Sequence, residues 1–381
     1  MTAAQPKKGP TSRPASRTSY GKKILVWAKL FFGLGILAFV LLRRDSAVQI
    51  VHLFSGVKIS WLLALVALFL VQTLISSVKW SLFVSDRGEA QSQWRLFMLY
   101  WVGKFFNNFT LGTTGGDIAR ILILGGNIGS HTRSAATVFM ERATGIVGLV
   151  VLVVISIAIT PAMLREPAIA LAVFVAVTGC LAMVTAFFSP AVSRWMLAVC
   201  ERLPWVKRFA GKLRTLMDAV IYYRARRRVL ALSLLFSLLF NFMACIGVYI
   251  ACLAIGFHPQ FTAILVITPV VCFLTAIPVS PSNIGWWEWC FSVFLVNAGG
   301  SAAQGTAVAL LLRAMALVMS LIGGIYFILD SHRQVRTLSE GDRPTSNRCG
   351  SGPESDGSMP SGFKEKTANL PDRDLGRVNH P

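Results

Sequence analysis

Long apolar runs separated by short polar stretches make up most of this chain, and their lengths decide its class. Runs at 24–42, 61–80, 135–160, 169–188, 230–255 and 303–329 approach or exceed the roughly 20 residues that a helix needs to cross a bilayer. A shorter apolar run covers 261–276, and a turn containing Pro161 and Pro167 separates the third span from the fourth. The runs are continuous rather than alternating, so they predict helices and not the strands of a membrane barrel. The expected fold is all-α, a polytopic membrane helical bundle.

Two regions break the pattern. From 93 to 131 the chain is apolar and aromatic, but Lys104, Asn107, Asn108, Asp117 and Arg120 interrupt it, and Gly112, Gly115 and Gly116 forbid one stable helix through the middle. The prediction is two half-helices in a re-entrant or discontinuous arrangement. The second break is Pro278–Glu288, after which helix resumes over 286–298. The two regions match in spacing. Asp117 is followed by Arg142 and Glu288 by Arg313, and one offset superimposes both pairs (288 − 117 = 313 − 142 = 171). At that offset the segment from Ala136 lies over the segment from Ala307. The chain therefore reads as a two-fold repeat with one acid, one arginine and one broken helix per half.

Charge sets the expected topology. The net charge is +20, although only 14% of residues are charged and 54% are hydrophobic. A soluble domain carries about 25% charged residues. The positive charge gathers in residues 1–23, which contain six Lys or Arg and no acid, and in 191–228, which contains ten. Both flank apolar spans, the pattern of cytoplasmic loops facing anionic lipid, and no nucleic-acid recognition motif accompanies them. The expected organisation is a disordered basic cytoplasmic tail (1–23), a first membrane half (24–189), an amphipathic linker helix on the cytoplasmic face (190–228), a second membrane half (229–330) and a disordered cytoplasmic tail (331–381). Counting crossings between the cytoplasmic segments makes the two broken regions enter from opposite faces, an inverted-topology repeat of the kind that puts broken helices at one midplane site in transporters. Both termini would be cytoplasmic, in a multi-pass protein of a cell inner membrane.

The candidate chemistry lies at the breaks. Arg142 and Arg313 sit within apolar spans, where insertion costs about 2.5–3.5 kcal/mol each and a partner is required. Asp117 and Glu288 are the expected partners. Asp117 also reads as a helix N-cap after the glycines. Capping accounts less well for Glu288, because Ser282 and Asn283 stand ready to cap that helix themselves. Arginine binds phosphate through two parallel hydrogen bonds, and helix N-termini add donors. Arg142 and Arg313, with Lys104, Arg120 and two half-helix N-termini, would suit an anionic headgroup, and the nearby aromatics would line a path for acyl or prenyl chains or serve as interfacial belt residues. The glycine-rich LGTTGGDIAR lacks the Gly-Lys-Ser/Thr of a phosphate loop. Neither a Ser-His-Asp set nor a paired-carboxylate site is visible, so no catalytic residue is assigned. Seven cysteines and five scattered histidines show no ligand spacing, so neither a metal nor a cofactor is expected.

At these residues the chain resembles the lysylphosphatidylglycerol synthase transmembrane-region family, also called the flippase-like domain family. The first signature is Phe105 to Asn108, Gly115-Gly116-Asp117, Arg120 and the pair Glu141-Arg142. The second is the break Pro278 to Gly285, then Glu288 and Arg313; here Asn283 to Glu288 replaces a more glycine-rich form. The resemblance spans about 24–330 and implies site roles for Asn107, Asn108, Glu141 and Asn283 beside the charged residues. Members that attach lysine to phosphatidylglycerol carry an added soluble domain. Residues 331–381 are too few for one, so synthase activity is not expected. The resemblance implies lipid translocation or export, in hopanoid-associated or lipid-linked-sugar contexts. The combined expectation is a non-enzymatic flippase-type transporter whose partners are membrane lipids, anionic or of polyprenyl or hopanoid type. A membrane-embedded transferase acting on lipid-linked donors, or a structural accessory of lipid export, stand as alternatives.

Overall fold

The computed structural model describes residues 44–86, 88–89, 91–109, 115–188, 221–277 and 279–341, together with Gly35. The run at 24–42, most of the linker at 190–228 and the tail beyond 341 lie outside the described residues, apart from Gly35. The described regular structure is all helical. In chain order it comprises α1 (Arg44–Ser55), α2 (Ile59–Ser85), α3 (Gln93–Phe109), α4 (Gly115–Asn127), α5 (His131–Ile159), α6 (Pro167–Phe188), α7 (Arg227–Ala254), α8 (Phe261–Ala276), α9 (Trp286–Phe294) and α10 (Ala302–Gly341), with short 3₁₀ turns at Pro161–Arg165, Pro281–Asn283 and Leu295–Ala298. α2, α5, α6, α7 and α10 carry stretches long and apolar enough to cross a membrane.

The glycine-rich stretch and the Pro/Ser/Asn stretch both break their helices where expected. α3 ends at Phe109 and α4 begins at Gly115; α8 ends at Ala276 and α9 begins at Trp286. Helix, break, half-helix and later long helix thus occur twice, as α3, α4, α5 and as α8, α9, α10. α5 starts four residues before the apolar run because Ser130 caps it, its hydroxyl accepting the Arg133 N–H. α1 is an element that apolar run length does not signal. It is a short amphipathic helix whose Ile50 is buried in the main core. Pro269 lies inside α8, where it removes one backbone donor and leaves the Leu265 carbonyl without its helical partner.

α5 and α7 form the centre. α7 packs on α2, α5 and α8, while α5 also touches α4 and α6. The main apolar core draws on both halves, including Leu152, Val248, Ile267, Phe291 and Ala307. Large apolar side chains also cover the outside: Leu63, Leu171, Phe174, Leu181, Leu235 and Ile325 are each at least 60% exposed. A soluble protein does not leave such a continuous apolar surface in water, whereas lipid-facing helices do.

Lipid tails are as apolar as leucine, so helices in a bilayer associate through close packing rather than through the hydrophobic effect. Two glycines permit the closest approaches around the first break. A Cβ on Gly116 would lie 1.9 Å from the Gly103 carbonyl oxygen, and one on Gly323 would lie 2.1 Å from the Trp101 carbonyl oxygen. α3 is therefore held against α4 on one side and α10 on the other by backbone-to-backbone contact.

Gly116→Ala should lower the detergent melting temperature by an amount equivalent to about 1–3 kcal/mol, the usual cost of overpacking. Gly126→Ala, on the same helix with open space around it, should leave the melting temperature unchanged or raise it through helix propensity. Equal melting temperatures for the two variants would contradict the close approach of α3 and α4.

Candidate functional site

At the first break the end of one half-helix caps the start of the next. Asn107 Oδ1 accepts the Gly116 N–H at 2.8 Å, so the capping role expected for Asp117 belongs to Asn107. Asp117, in the first turn of α4, takes two arginines instead. Arg120 Nη2 donates to its Oδ1 at 2.8 Å; Arg142 donates from Nη2 to Oδ1 at 2.7 Å and from Nε to Oδ2 at 3.1 Å.

Arg120 is the buried centre of this cluster. It is 2% exposed, and its Nη1 donates to Glu141 Oε2 at 2.8 Å. Its guanidinium lies 4.5 Å from the centre of the Tyr100 ring and 5.0 Å from that of Trp80, so cation–π attraction adds to two ion pairs. Tyr100 Oη donates to the other Glu141 oxygen at 2.9 Å. Glu141 and Arg142 are neighbours in sequence, but successive helical positions differ by about 100°. Glu141 therefore points inward to Arg120, while Arg142 reaches Asp117 from the rim. Lys79 joins from α2, donating to the Glu141 carbonyl at 2.9 Å and to Ser237 Oγ at 3.3 Å. The cluster holds three cations, Lys79, Arg120 and Arg142, against two carboxylates.

The second break is built from backbone in left-handed conformation. Ser282 and Asn283 have φ of 49° and 55°, and Gly285 has φ of 82°. For the two non-glycine residues this costs roughly 1–2 kcal/mol each. Arg313 offsets that cost: Nη1 donates to the Ser282 carbonyl at 3.1 Å and Nη2 to the Asn283 carbonyl at 3.0 Å. The same guanidinium makes a short hydrogen bond from Nε to Glu288 Oε1. Glu288 Oε2 accepts the Gly285 N–H at 2.8 Å. Glu288 thus caps α9 from its third position. This corrects the expectation that Ser282 and Asn283 would do so: the Ser282 hydroxyl donates to the Asn107 carbonyl at 3.1 Å and Asn283 Nδ2 to the Thr275 carbonyl at 2.7 Å. The hydroxyl of Ser282 also ties the two breaks directly to each other.

Each arginine lines a chamber. One, of about 310 Å³, is bordered by Lys79, Tyr100, Glu141, Arg142, Ser237 and Asn241, among others. The other, of about 330 Å³, is bordered by Gln72, Asn108, Thr268, Asn283, Trp287 and Arg313, among others. They share Phe240, Ala244 and Cys272 as a common wall. The arginines differ in availability. Arg142 is 49% exposed and uses Nε and Nη2, leaving Nη1 open; Arg313 is 21% exposed and spends hydrogen bonds from all three nitrogens.

Of the residues singled out from the sequence, Glu141 and Arg142 border the first chamber and Asn108, Asn283 and Arg313 the second. Asp117, Arg120 and Glu288 stand behind the arginines as counter-ions and struts, and Asn107 is spent on the cap. Lys104 borders neither chamber; its ammonium donates to Thr73 Oγ1 at 2.6 Å and lies over the Trp101 ring. Sequence reasoning missed Lys79 and Tyr100. Lys79 falls one residue before the end of the apolar run at 61–80, where it reads as a boundary charge, but α2 continues to Ser85 and makes it internal. Tyr100 carries no signal beyond its place in an aromatic run.

Arg120→Gln should cost about 3–5 kcal/mol of stability, because it leaves two carboxylates without their buried cation. It should therefore lower the melting temperature and expression sharply. Arg142→Gln removes a half-exposed group and should melt close to wild type. A melting temperature for Arg120→Gln at or above that of Arg142→Gln would contradict this division of roles.

A UPF0104 membrane protein of Pyrococcus horikoshii is 22% identical to this chain over 310 residues, covering 76% of this chain and 92% of the relative. No solved structure matches. The family model described as the lysylphosphatidylglycerol synthase TM region matches residues 26–324, a range that contains both breaks and both arginine–carboxylate pairs, and this chain therefore belongs to that family of multi-pass membrane proteins.

Proposed function

We propose that this protein is a lipid transporter of flippase type that moves an anionic or lipid-linked amphiphile between leaflets, without catalysing a covalent step. The observation that carries the reading is the charge imbalance at Arg142. Arg120 and Arg142 take the two carboxylates, buried Lys79 reaches only the Glu141 carbonyl and the Ser237 hydroxyl, and of the two arginines the one with spare donors is the one that borders a chamber. A buried excess cation is costly unless an anion joins it. A phosphate meets that requirement in charge and in geometry, because a guanidinium edge can donate two parallel hydrogen bonds.

The arrangement lets the anion come and go at low cost. Asp117 is shared between Arg120 and Arg142. When Arg142 turns toward a phosphate, Asp117 keeps Arg120 as its partner, so no carboxylate is stranded. Lys79 lies on the same chamber wall, with one N–H beyond its bonds to the Glu141 carbonyl and Ser237, and would complete the cradle. The two halves, each with a break and an arginine, support alternating exposure of a shared site to the two leaflets, as inverted repeats do in other transporters. We propose an inner-membrane orientation with both termini cytoplasmic, read from the basic segments at 1–23 and 191–228.

In proteoliposomes carrying fluorescent phospholipid and prenyl-phosphate probes, wild-type protein should speed movement of an anionic probe from one leaflet to the other. Arg142→Gln should reduce that rate at least tenfold, while Arg142→Lys should retain part of it. Equal rates for wild type and Arg142→Gln, with both folded, would overturn the proposal.

A further inference from the structure

The chamber at Arg142 lies between α2, α5 and α7. The end of α2 and the starts of α5 and α7 meet beyond it, where Glu89 pairs with Arg133 at 3.0 Å and Asp86 with Arg226 at 3.5 Å. Two buried layers stand between the chamber and that end. Ser233, one turn before Ser237 on α7, joins its hydroxyl to that of Thr144 at 2.8 Å. Further out Phe83, one turn after Lys79 on α2, packs with Met140 of α5 and with Tyr223. The Phe83 and Tyr223 rings meet edge to face with their centres 5.1 Å apart. Phe83, Met140 and Tyr223 are all fully buried. Tyr223 differs from the other two in what carries it. Phe83 and Met140 belong to long bundle helices. Tyr223 belongs to a short segment, 221–226, set off from α7 by a break at 225–226, where Arg226 leaves helical geometry at φ −96° and ψ 61°. Ile221, Arg224, Ala225 and Arg226 are exposed and Tyr222 is partly buried, so Tyr223 is the one member of the segment driven fully into the bundle. Its hydroxyl donates to the Phe83 carbonyl at 2.7 Å, and Tyr222 Oη donates to the Asp86 carbonyl at 3.0 Å.

We infer that 221–226 is a hinged strap with Tyr223 as its plug, and that withdrawal of the plug opens the chamber at Arg142 toward the membrane face where α2 ends. The strap's use as a transport gate rests on the transporter reading above. The contacts that hold the strap are of a kind that water replaces. Phe83 lies in the last turn of α2, whose final four carbonyls have no donor further along the helix, and Asp86 follows that end. When Tyr222 and Tyr223 leave, water takes their place at both carbonyls. The Arg226–Asp86 pair is half exposed on the arginine side, and exposed ion pairs hold weakly. Burial of the Tyr223 ring is therefore what keeps the strap in place. The break at 225–226 supplies the pivot, since residues at the ends of elements absorb the dihedral change of a hinge. Withdrawal leaves a gap between Phe83 and Met140, with the Thr144–Ser233 pair next in line before Lys79 and Ser237. Two hydroxyls that bond each other exchange that bond for water at little cost.

Asp86→Cys combined with Arg226→Cys, in the full chain, gives a lock that can be set and released. Neither residue borders a chamber. A reducible bis-methanethiosulfonate linker joins the two thiols, and wild type treated in the same way controls for the native cysteines. In the proteoliposome assay the unlinked variant should move the anionic probe at least as fast as wild type. Linking should slow that movement about fivefold or more, and reductant should restore it; a smaller effect of the linker would overturn the inference. A second measurement reads the gate without transport. Cys272 borders both chambers, so its labelling by a membrane-impermeant maleimide, followed by peptide mass spectrometry, reports access to them. Tyr223→Phe keeps the ring, deletes the bond to the Phe83 carbonyl and should melt close to wild type. It should label at Cys272 about threefold or more faster, and a smaller change would also overturn the inference. Failure of wild type to move any probe would count against the transporter reading instead, and Cys272 labelling would then decide by itself whether the strap admits molecules to the chamber.

Discussion

A guanidinium in a bilayer interior needs a counter-charge, and a broken helix there needs donors and acceptors for its exposed backbone. At the second break one contact meets both needs. Arg313 finds its carboxylate in Glu288 and gives its remaining hydrogen bonds to the carbonyls of Ser282 and Asn283, while Glu288 returns a cap to Gly285. The left-handed turn, the start of α9 and the ion pair are thus one structure. Without the arginine, two carbonyls and one carboxylate would be stranded together. The first break divides the same work between two arginines. Arg120 neutralises the interior, and Arg142 holds the rim of Asp117. That division frees Arg142 to face a chamber, which Arg313 does with only a fifth of its surface.

The two breaks are therefore not two equal sites. The spacing from acid to arginine is 25 residues in both halves, but the surrounding cations differ. The first half adds Lys79 and Arg120 and the extra acid Glu141; the second adds only neutral polar groups. Equal spacing preserves the geometry that closes each break, since an arginine one long helix away must still reach the same turn. What lies around that geometry is free to diverge, so one half can carry excess charge while the other stays neutral.

Much of this was legible in the sequence because bilayer physics is strict. Twenty-residue apolar runs, glycine or proline inside them, and arginines without an escape to water have few readings, so the spans among the described residues, both breaks and the pairing of Asp117 with Arg142 and Glu288 with Arg313 follow from the chain alone. The remainder depends on local geometry that residue type does not encode. Asn107 caps α4 because α3 ends beside it, not because asparagine precedes glycine at a set spacing. Glu288 caps α9 because Ser282 and Asn283 turn away into left-handed backbone. Lys79 reads as a span boundary only because the apolar run ends at Trp80, whereas the helix continues to Ser85. α1 escaped notice because twelve amphipathic residues are too few and too mixed to stand out beside spans twice as long.

The unequal chambers also bear on how a headgroup can cross. A single strongly positive site would bind phosphate tightly and release it slowly, whereas transport requires that binding be weak enough for exit. Here the charge is concentrated at Arg142, and its carboxylate partner Asp117 has Arg120 to fall back on. On the proposed reading, a phosphate would be held by one exchangeable ion pair rather than by two. The chamber beyond the shared wall of Phe240, Ala244 and Cys272 is electrically neutral at Arg313 and so adds nothing to that charge-based grip. Phe240 lies on α7, the helix that packs against both α2 and α5 and therefore against elements bordering both chambers. A small rotation of α7 would move that wall, and with it the boundary between the charged and the neutral space.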